Sequence, residues 1–133
     1  MFFAEGGSVQ TRCPYGEGIY TVRPSGRIDA ATAPELGQAL QELLAAGQTH
    51  LIVDLDGVRY LASGALRVLL VAIKEARRLG GDVKLCSLRP NVQRVFRLSG
   101  FTLIFEIADT EEAAALAFQG QPATRAFLGE QGQ

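Results

Sequence analysis

Ser63 is the side chain in this sequence with the clearest chemical option. It stands in Ala62-Ser63-Gly64-Ala65-Leu66, where an apolar helical repeat begins. A serine there has a structural use, because its oxygen can accept a hydrogen bond from an open N–H of the first turn. It also has a chemical use. A phosphoryl group on that oxygen would bring about −1.5 to −2 charges to the positive end of a helix, which tolerates them. The helix would survive, and the change would fall on the surface a partner meets. Asp29 is the second candidate, either as a turn former ahead of the first helix or as an acidic contact beside Ser63.

Other chemistry is thinly supplied. Asp54 and Asp56 flank Leu55 at a predicted strand end. Such a pair could bind Mg²⁺ or do acid–base work, but no third acid, Lys or His stands with them, and Asp56-Gly57 reads as a turn. His50 is the only histidine, and no Ser or Cys motif points to it. Cys13 and Cys86 form no CxxC. Two thiols and one imidazole fall short of the roughly four ligands of a structural zinc. Cys86, in an apolar strand, reads as a core residue. No GxSxG, GxGxxG or GxxxxGK[ST] occurs. The expectation is therefore no catalytic residue, no metal and no cofactor.

The elements that position these residues follow from periodicity. Val9 to Asp29 reads as two strands joined at Pro14-Tyr15-Gly16-Glu17-Gly18, with Pro24-Ser25-Gly26 as a break or bulge. Thr32-Ala33-Pro34-Glu35 fits a capping box, followed by a stripe of Leu36, Leu40, Leu43 and Leu44 and a stop at Gly47. Leu51-Ile52-Val53 predicts a strand covered on both faces. A second helix is predicted from Ser63 to Leu79, with Leu66, Leu69, Leu70, Ile73 and Ala76 inward. Arg67, Lys74, Arg77 and Arg78 give it a basic flank, read first as a solvated face and second as a contact for an acidic partner. Gly80-Gly81 ends it. Then come a strand at VKLCS, a helix over Pro90 to Leu98 with Val92, Val95 and Phe96 inward and Gly100 as its stop, a strand at LIFEIA, and a helix capped by Asp109-Thr110-Glu111-Glu112.

That order is α/β: a mixed, mostly parallel sheet with an N-terminal antiparallel strand and about four helices. Crevices in such sheets lie at the carboxyl ends of the strands. Two segments converge there, residues 26–32 and 58–66. The chain of 133 residues is 47% hydrophobic and 20% charged with a formal charge of −1. This fits one globular domain over residues 1–119, and it argues against attachment to nucleic acid by charge alone. Residues 120–133 read as a mobile tail, although Phe127-Leu128 could dock. Met1-Phe2-Phe3 reads first as a loose terminus and second as a hydrophobic anchor onto the domain. No signal peptide or membrane span is expected, so the cytoplasm is the default.

The strings GRIDAATAPEL, LIVDLDGVRYLASGALRVLL and RRLGGDVKLCSLRPNVQRVFRLSGF, followed by a strand and an acid-capped helix, resemble the STAS domain. More narrowly they resemble the bacterial anti-sigma-factor antagonists, over roughly residues 9 to 118. The resemblance implies a cytoplasmic switch protein without catalysis of its own. Its partner would be an anti-sigma factor that is also a serine kinase, and binding would free a sigma factor. The kinase phosphorylates a serine in an Asp-Ser-Ser/Thr-Gly-Leu loop, which abolishes binding, and a phosphatase restores it. That loop falls on Ala62-Ser63-Gly64-Ala65-Leu66, which makes Ser63 the phospho-acceptor. The family's Asp in a Gly-Glu-Leu-Asp segment falls on Asp29. Asp29, Ala30, Thr32, Ala62, Ser63, Gly64 and Arg67 then form the partner surface, on a monomer or weak dimer.

The loop departs from the family pattern in three places: Ala62 replaces its Asp, Gly64 its second hydroxyl residue and Ala65 its Gly. The departures keep open a second reading, an unphosphorylated STAS interaction or scaffold module in a signalling, lipid or transport complex. A receiver domain using an aspartate and Mg²⁺ has similar size and alternation, but VQTRC lacks its acidic pair and LIFEIA its lysine. A small hydrolase lacks a nucleophile–base pair.

Overall fold

The computed structural model describes residues 18–119 and, for its backbone alone, the segment 8–12. The expectations for Met1-Phe2-Phe3, Cys13, the turn residues 14–17 and the tail 120–133 lie outside the described residues. The elements are β1 (Ser8–Arg12), β2 (Ile19–Ile28), α1 (Ala33–Ala45), β3 (His50–Asp54), β4 (Val58–Leu61), α2 (Ser63–Arg78), β5 (Asp82–Cys86), α3 (Pro90–Leu98), a 3₁₀ turn (Phe101–Leu103), β6 (Ile107–Ala108) and α4 (Glu111–Gln119). The sheet runs β1-β2-β3-β5-β6, with β4 paired to β2. Only the β1–β2 pairing is antiparallel. The predicted mixed α/β architecture with four helices is what the chain forms.

β2 is the long central element, and it changes partner along its length. Ile19–Val22 pair with β3, and Gly26–Ile28 pair with β4. The register shifts between Gly26 and Arg27, where Gly26 has φ +85, a conformation open to glycine and costly for residues with a Cβ. The break expected at Pro24-Ser25-Gly26 is therefore a partner exchange inside one continuous strand. β4, over Val58–Leu61, is a strand beyond those expected from the sequence.

The core follows the two-residue period of the strands. Leu51, Val53, Val83 and Leu85 face a large cluster with Leu36, Leu40, Leu69, Ile73 and Phe96 from α1, α2 and α3. Ile52 and Cys86 face the other way, against Ala114 and Ala115 of α4. Leu51, Ile52 and Val53 are all 0% exposed, as an apolar run covered on both faces requires. Each such side chain contributes roughly 1.5–3 kcal/mol by leaving water.

Three local expectations need correction. The capping box at α1 does not form: Thr32 is the N-cap residue but makes no side-chain cap bond. The LIFEIA strand shrinks to Ile107–Ala108, because Phe101–Leu103 winds into a 3₁₀ turn; this turn and its continuation bury Phe105 and leave Leu103 in solvent. On α2 the buried line is Ala65, Leu69, Ala72, Ile73 and Ala76, while Leu66 and Leu70 are only half-buried. The small residues let α2 approach closely, so the larger leucines beside them fill the margins. The α1 stop holds as read, with the Gln48 N–H donating to the Leu43 carbonyl at 2.9 Å and the Gly47 N–H to the Leu44 carbonyl at 3.0 Å.

Gly81 marks the tightest backbone approach. A Cβ there would lie 1.9 Å from the Thr49 carbonyl oxygen, whereas one at Gly64 would meet the Ala33 Cβ at 3.8 Å, an ordinary contact. Gly81→Ala should therefore lower stability by about 1–3 kcal/mol. Gly64→Ala should lose nothing and gain up to about 1 kcal/mol from helix propensity. Urea midpoints of the two variants check both signs.

Candidate functional site

The C-terminal ends of β2 and β4 lie side by side, with Ile28 opposite Leu61. The Ala62 N–H donates to the Ile28 carbonyl at 2.9 Å, which carries the pairing one residue past the strand. From there the chains diverge, one into the loop at Asp29 and the other into α2 at Ser63. The structure thus brings together Asp29, Ala30, Thr32, Ala62, Ser63 and Gly64, which are far apart in sequence. Gly64 closes the junction from below, since its missing side chain points at Ala33. Arg67, four residues into α2, is exposed one turn further along.

The Asp29 loop is held by its own polar groups. The Asp29 carboxylate accepts from the Ala31 N–H at 3.0 Å and the Thr32 N–H at 3.3 Å. The Thr32 hydroxyl accepts from the Asp29 N–H at 2.9 Å and donates to the Arg27 carbonyl at 2.7 Å. This is why Thr32 does not cap α1. Its oxygen is engaged across the loop, and Asp29 takes the Thr32 N–H instead. The Ala31 N–H, with help from Thr32 and against partial desolvation, holds the Asp29 carboxyl below its ordinary range. Asp29 therefore stays charged. Ala30, at the tip, is exposed.

Ser63 has no such engagement. The N-cap position of α2 belongs to Ala62, in extended backbone, and no side-chain cap bond forms there. Ser63 is the first helical residue and is exposed. The capping role read from the sequence is absent, so the hydroxyl is left at the mouth of a 16-residue helix and open to solvent. The flank of the site is basic and aromatic. The Arg27 guanidinium lies 4.1 Å from the centre of the Tyr60 ring, a cation–π contact between paired residues of β2 and β4. The sequence carried a faint signal for β4, in the β-rich run Val58-Arg59-Tyr60-Leu61 after Gly57.

Asp54 and Asp56 lie in different surroundings. Asp54, at the end of the central strand β3, accepts from the Asp56 N–H at 2.9 Å and lies 3.9 Å from Arg23. Arg23 in turn pairs with Glu111 at the start of α4. Burial, then the neighbouring Glu111 carboxyl, pushes Asp54 up to about 6. Asp56 is exposed. Among the described residues no group of three or more His, Cys, Asp or Glu could hold a metal ion. His50 sits on Phe118, ring centres 5.0 Å apart, with Nδ1 3.2 Å from the Thr49 hydroxyl. Burial, then Asp54, pushes the Cys86 thiol up to about 12, which makes it inert.

The STAS domain family model matches residues 13–114. A Bordetella bronchiseptica protein named as the anti-sigma factor antagonist BtrV is 36% identical over 103 residues, covering 77% of this chain and 89% of the relative. The anti-sigma F factor antagonist of Paenibacillus polymyxa is 28% identical over 105 residues, 78% of this chain and 90% of that protein. Among solved structures, an anti-sigma factor antagonist from Mycobacterium paratuberculosis superposes with a TM-score of 0.77 at 26% identity, over 89% of this chain and 99% of that one. Among the described residues no helix is long and apolar enough to cross a membrane.

The raised Asp54 gives a pH signature. Its folded pKa of about 6 lies above the ordinary value of 3.8, so the folded state binds more protons between these values. The stabilisation is fully present below the unfolded pKa and is lost as pH rises through about 6. Melting temperatures taken across this range should fall for the wild type as pH rises, and the fall should flatten in Asp54→Asn.

Proposed function

This chain belongs to the STAS domain family, and on that premise we propose that it is an anti-sigma factor antagonist. It binds an anti-sigma factor through the surface around Ser63, displaces a sigma factor from it and leaves that sigma factor available to RNA polymerase. It works in the cytoplasm, catalyses nothing itself and needs no cofactor. The observation that carries this reading is the exposed Ser63 at the first position of α2, uncapped and beside the Asp29 loop. Asp29, Ala30, Thr32, Ala62, Gly64 and Arg67 form the contact surface around it.

The same geometry supports a switch. An anti-sigma factor with serine-kinase activity transfers the γ-phosphoryl group of ATP to the Ser63 oxygen. The new O–P bond forms as the β–γ bridge breaks, ADP leaves, and the hydroxyl proton passes to a base of the kinase. The helix end accommodates the charge, and Asp29, already negative, stands nearby. The effect is exerted outward, by repulsion and bulk against the partner. A phosphatase reverses it. Ala62, Gly64 and Ala65 favour a second reading in which binding is constitutive, because the acid and second hydroxyl of the family loop are absent.

Co-purification with the anti-sigma factor, followed by ATP treatment and mass spectrometry, tests both. The proposed function predicts a stable complex with wild type and Ser63→Ala, and a loss of roughly ten-fold or more in affinity, about 1.4 kcal/mol, for Ser63→Asp. A complex that tolerates Ser63→Asp and gains no phosphate supports the constitutive reading. Failure to bind any anti-sigma factor sinks the proposal.

A further inference from the structure

Residues 85–105 carry Arg89, Arg94 and Arg97 and no acidic side chain, so the rest of this −1 chain carries a net −4. The fold sets the helix that carries these arginines against β4. The Asn91 side-chain amide donates to the Arg59 carbonyl at 2.8 Å, and Arg89 Nε donates to the Asp56 carbonyl at 2.7 Å. Both bonds end on main-chain oxygens of β4 or the turn before it. They lay α3 along β4, the strand that leads directly into Ser63. Arg27, Arg59, Arg89, Arg94 and Arg97 are all exposed, and none makes an ion pair with a described residue. On α2, Arg77 is bound to Asp82 and to the Ile104 carbonyl, and Arg78 to Glu75, while Arg67 and Lys74 are exposed.

Asp29, engaged mainly by its loop amides, interacts also with Arg27, and no carboxylate forms an ion pair with Arg59, Arg89, Arg94 or Arg97 among the described residues. Asn91, Arg94 and Leu98 recur at helical spacing, which places them on one stripe of α3. At the far end of that element Leu98 is 76% exposed and Leu103, at the end of the 3₁₀ turn, 90% exposed. Arginine and tyrosine around exposed apolar anchors is the composition of a protein interface.

We infer that the β4–α3 face is a second contact surface, continuous with the Ser63 site, for an acidic surface on the same protein partner. The inference rests on the proposed function for the identity of that partner. It adds that the partner's docking face is negatively charged, and that association is steered by these arginines and weakens with salt. A protein partner is favoured over nucleic acid because the basic patch is small within an acidic chain and adjoins apolar side chains.

Two measurements on the full chain decide it. In the first, amide chemical shifts are followed with octaglutamate, octalysine and an eight-nucleotide oligothymidylate at about 20 mM and about 200 mM salt, where the Debye length falls from roughly 20 Å to 7 Å. Shifts at Arg59, Arg94, Arg97 and Leu98 with octaglutamate, lost at the higher salt and in Arg94→Glu/Arg97→Glu, support the face. No localised shift, or equal shifts with the oligonucleotide, overturns it.

In the second, association with the anti-sigma factor is timed. The double charge reversal should slow it roughly ten-fold at low salt, with Arg94→Ala/Arg97→Ala intermediate. An unchanged rate in both arginine variants overturns the inference while leaving the proposed function standing. If wild type binds no anti-sigma factor, the function fails, and the peptide titration still decides the charge of the face.

Discussion

The arrangement of this protein depends on β2 pairing with two successive strands of one chain. β3 occupies its first half, a turn at residues 55–57 crosses the register shift, and β4 occupies its last three residues. The Gly26 N–H donates to the Gly57 carbonyl at 2.8 Å, which locks that crossing. Without β4, the segment before α2 would be an untethered loop, and Ser63 would have no defined relation to Asp29. With it, the strand ends that lead into two loops more than thirty residues apart are held about one strand spacing, roughly 5 Å, from each other. The site is a consequence of sheet pairing rather than of any local motif.

This explains what could be read from the sequence and what could not. Long periodic segments were legible: the Leu36–Leu44 stripe, the triple apolar run at Leu51-Ile52-Val53 and the glycine stop at Gly47 each have one physical solution. β4 was not, because four residues with Arg and Tyr in the middle carry no periodicity, and their pairing with Arg27 and Ile28 is a long-range choice. The Thr32 capping box failed for a related reason. Several acceptors compete for the same few N–H groups, and the winner is set by the loop path from β2. The start of α2 at Ser63 was legible, but the cap reading was not met, since whether a serine occupies the cap or the first helical turn turns on one residue of backbone geometry. Asp54, a carboxylate at a strand end, looked like chemistry until Glu111 and Arg23 arrived from other elements to enclose it.

Charge is sorted by position in the same way. Inside and along the sheet, ionic groups have partners. Lys84, buried on β5, bonds Glu106 at 2.7 Å and Asp82 at 3.2 Å and lies 4.5 Å from the Phe118 ring centre. Arg23 and Glu111 hold the first turn of α4. Such pairs contribute little net stability, since desolvation offsets their attraction, but they fix where α4 and β6 dock. The arginines of β4 and α3 make no such connection, and their charge points to solvent.

The Ser63 junction is therefore suited to a change in binding without a change in fold. The hydroxyl there supports no cap, so modifying it removes no hydrogen bond that α2 needs. Asp29 has its carboxylate fixed by the amides of its own loop, so an added phosphate would not draw it out of place. The positive end of α2 would receive the new charge, and the core below, from Ala65 to Ile73, would be untouched. Whatever energy such a phosphate changes must then be felt by a molecule lying across the junction. A surface of this kind can be altered at one oxygen while the sheet that positions it stays as it was.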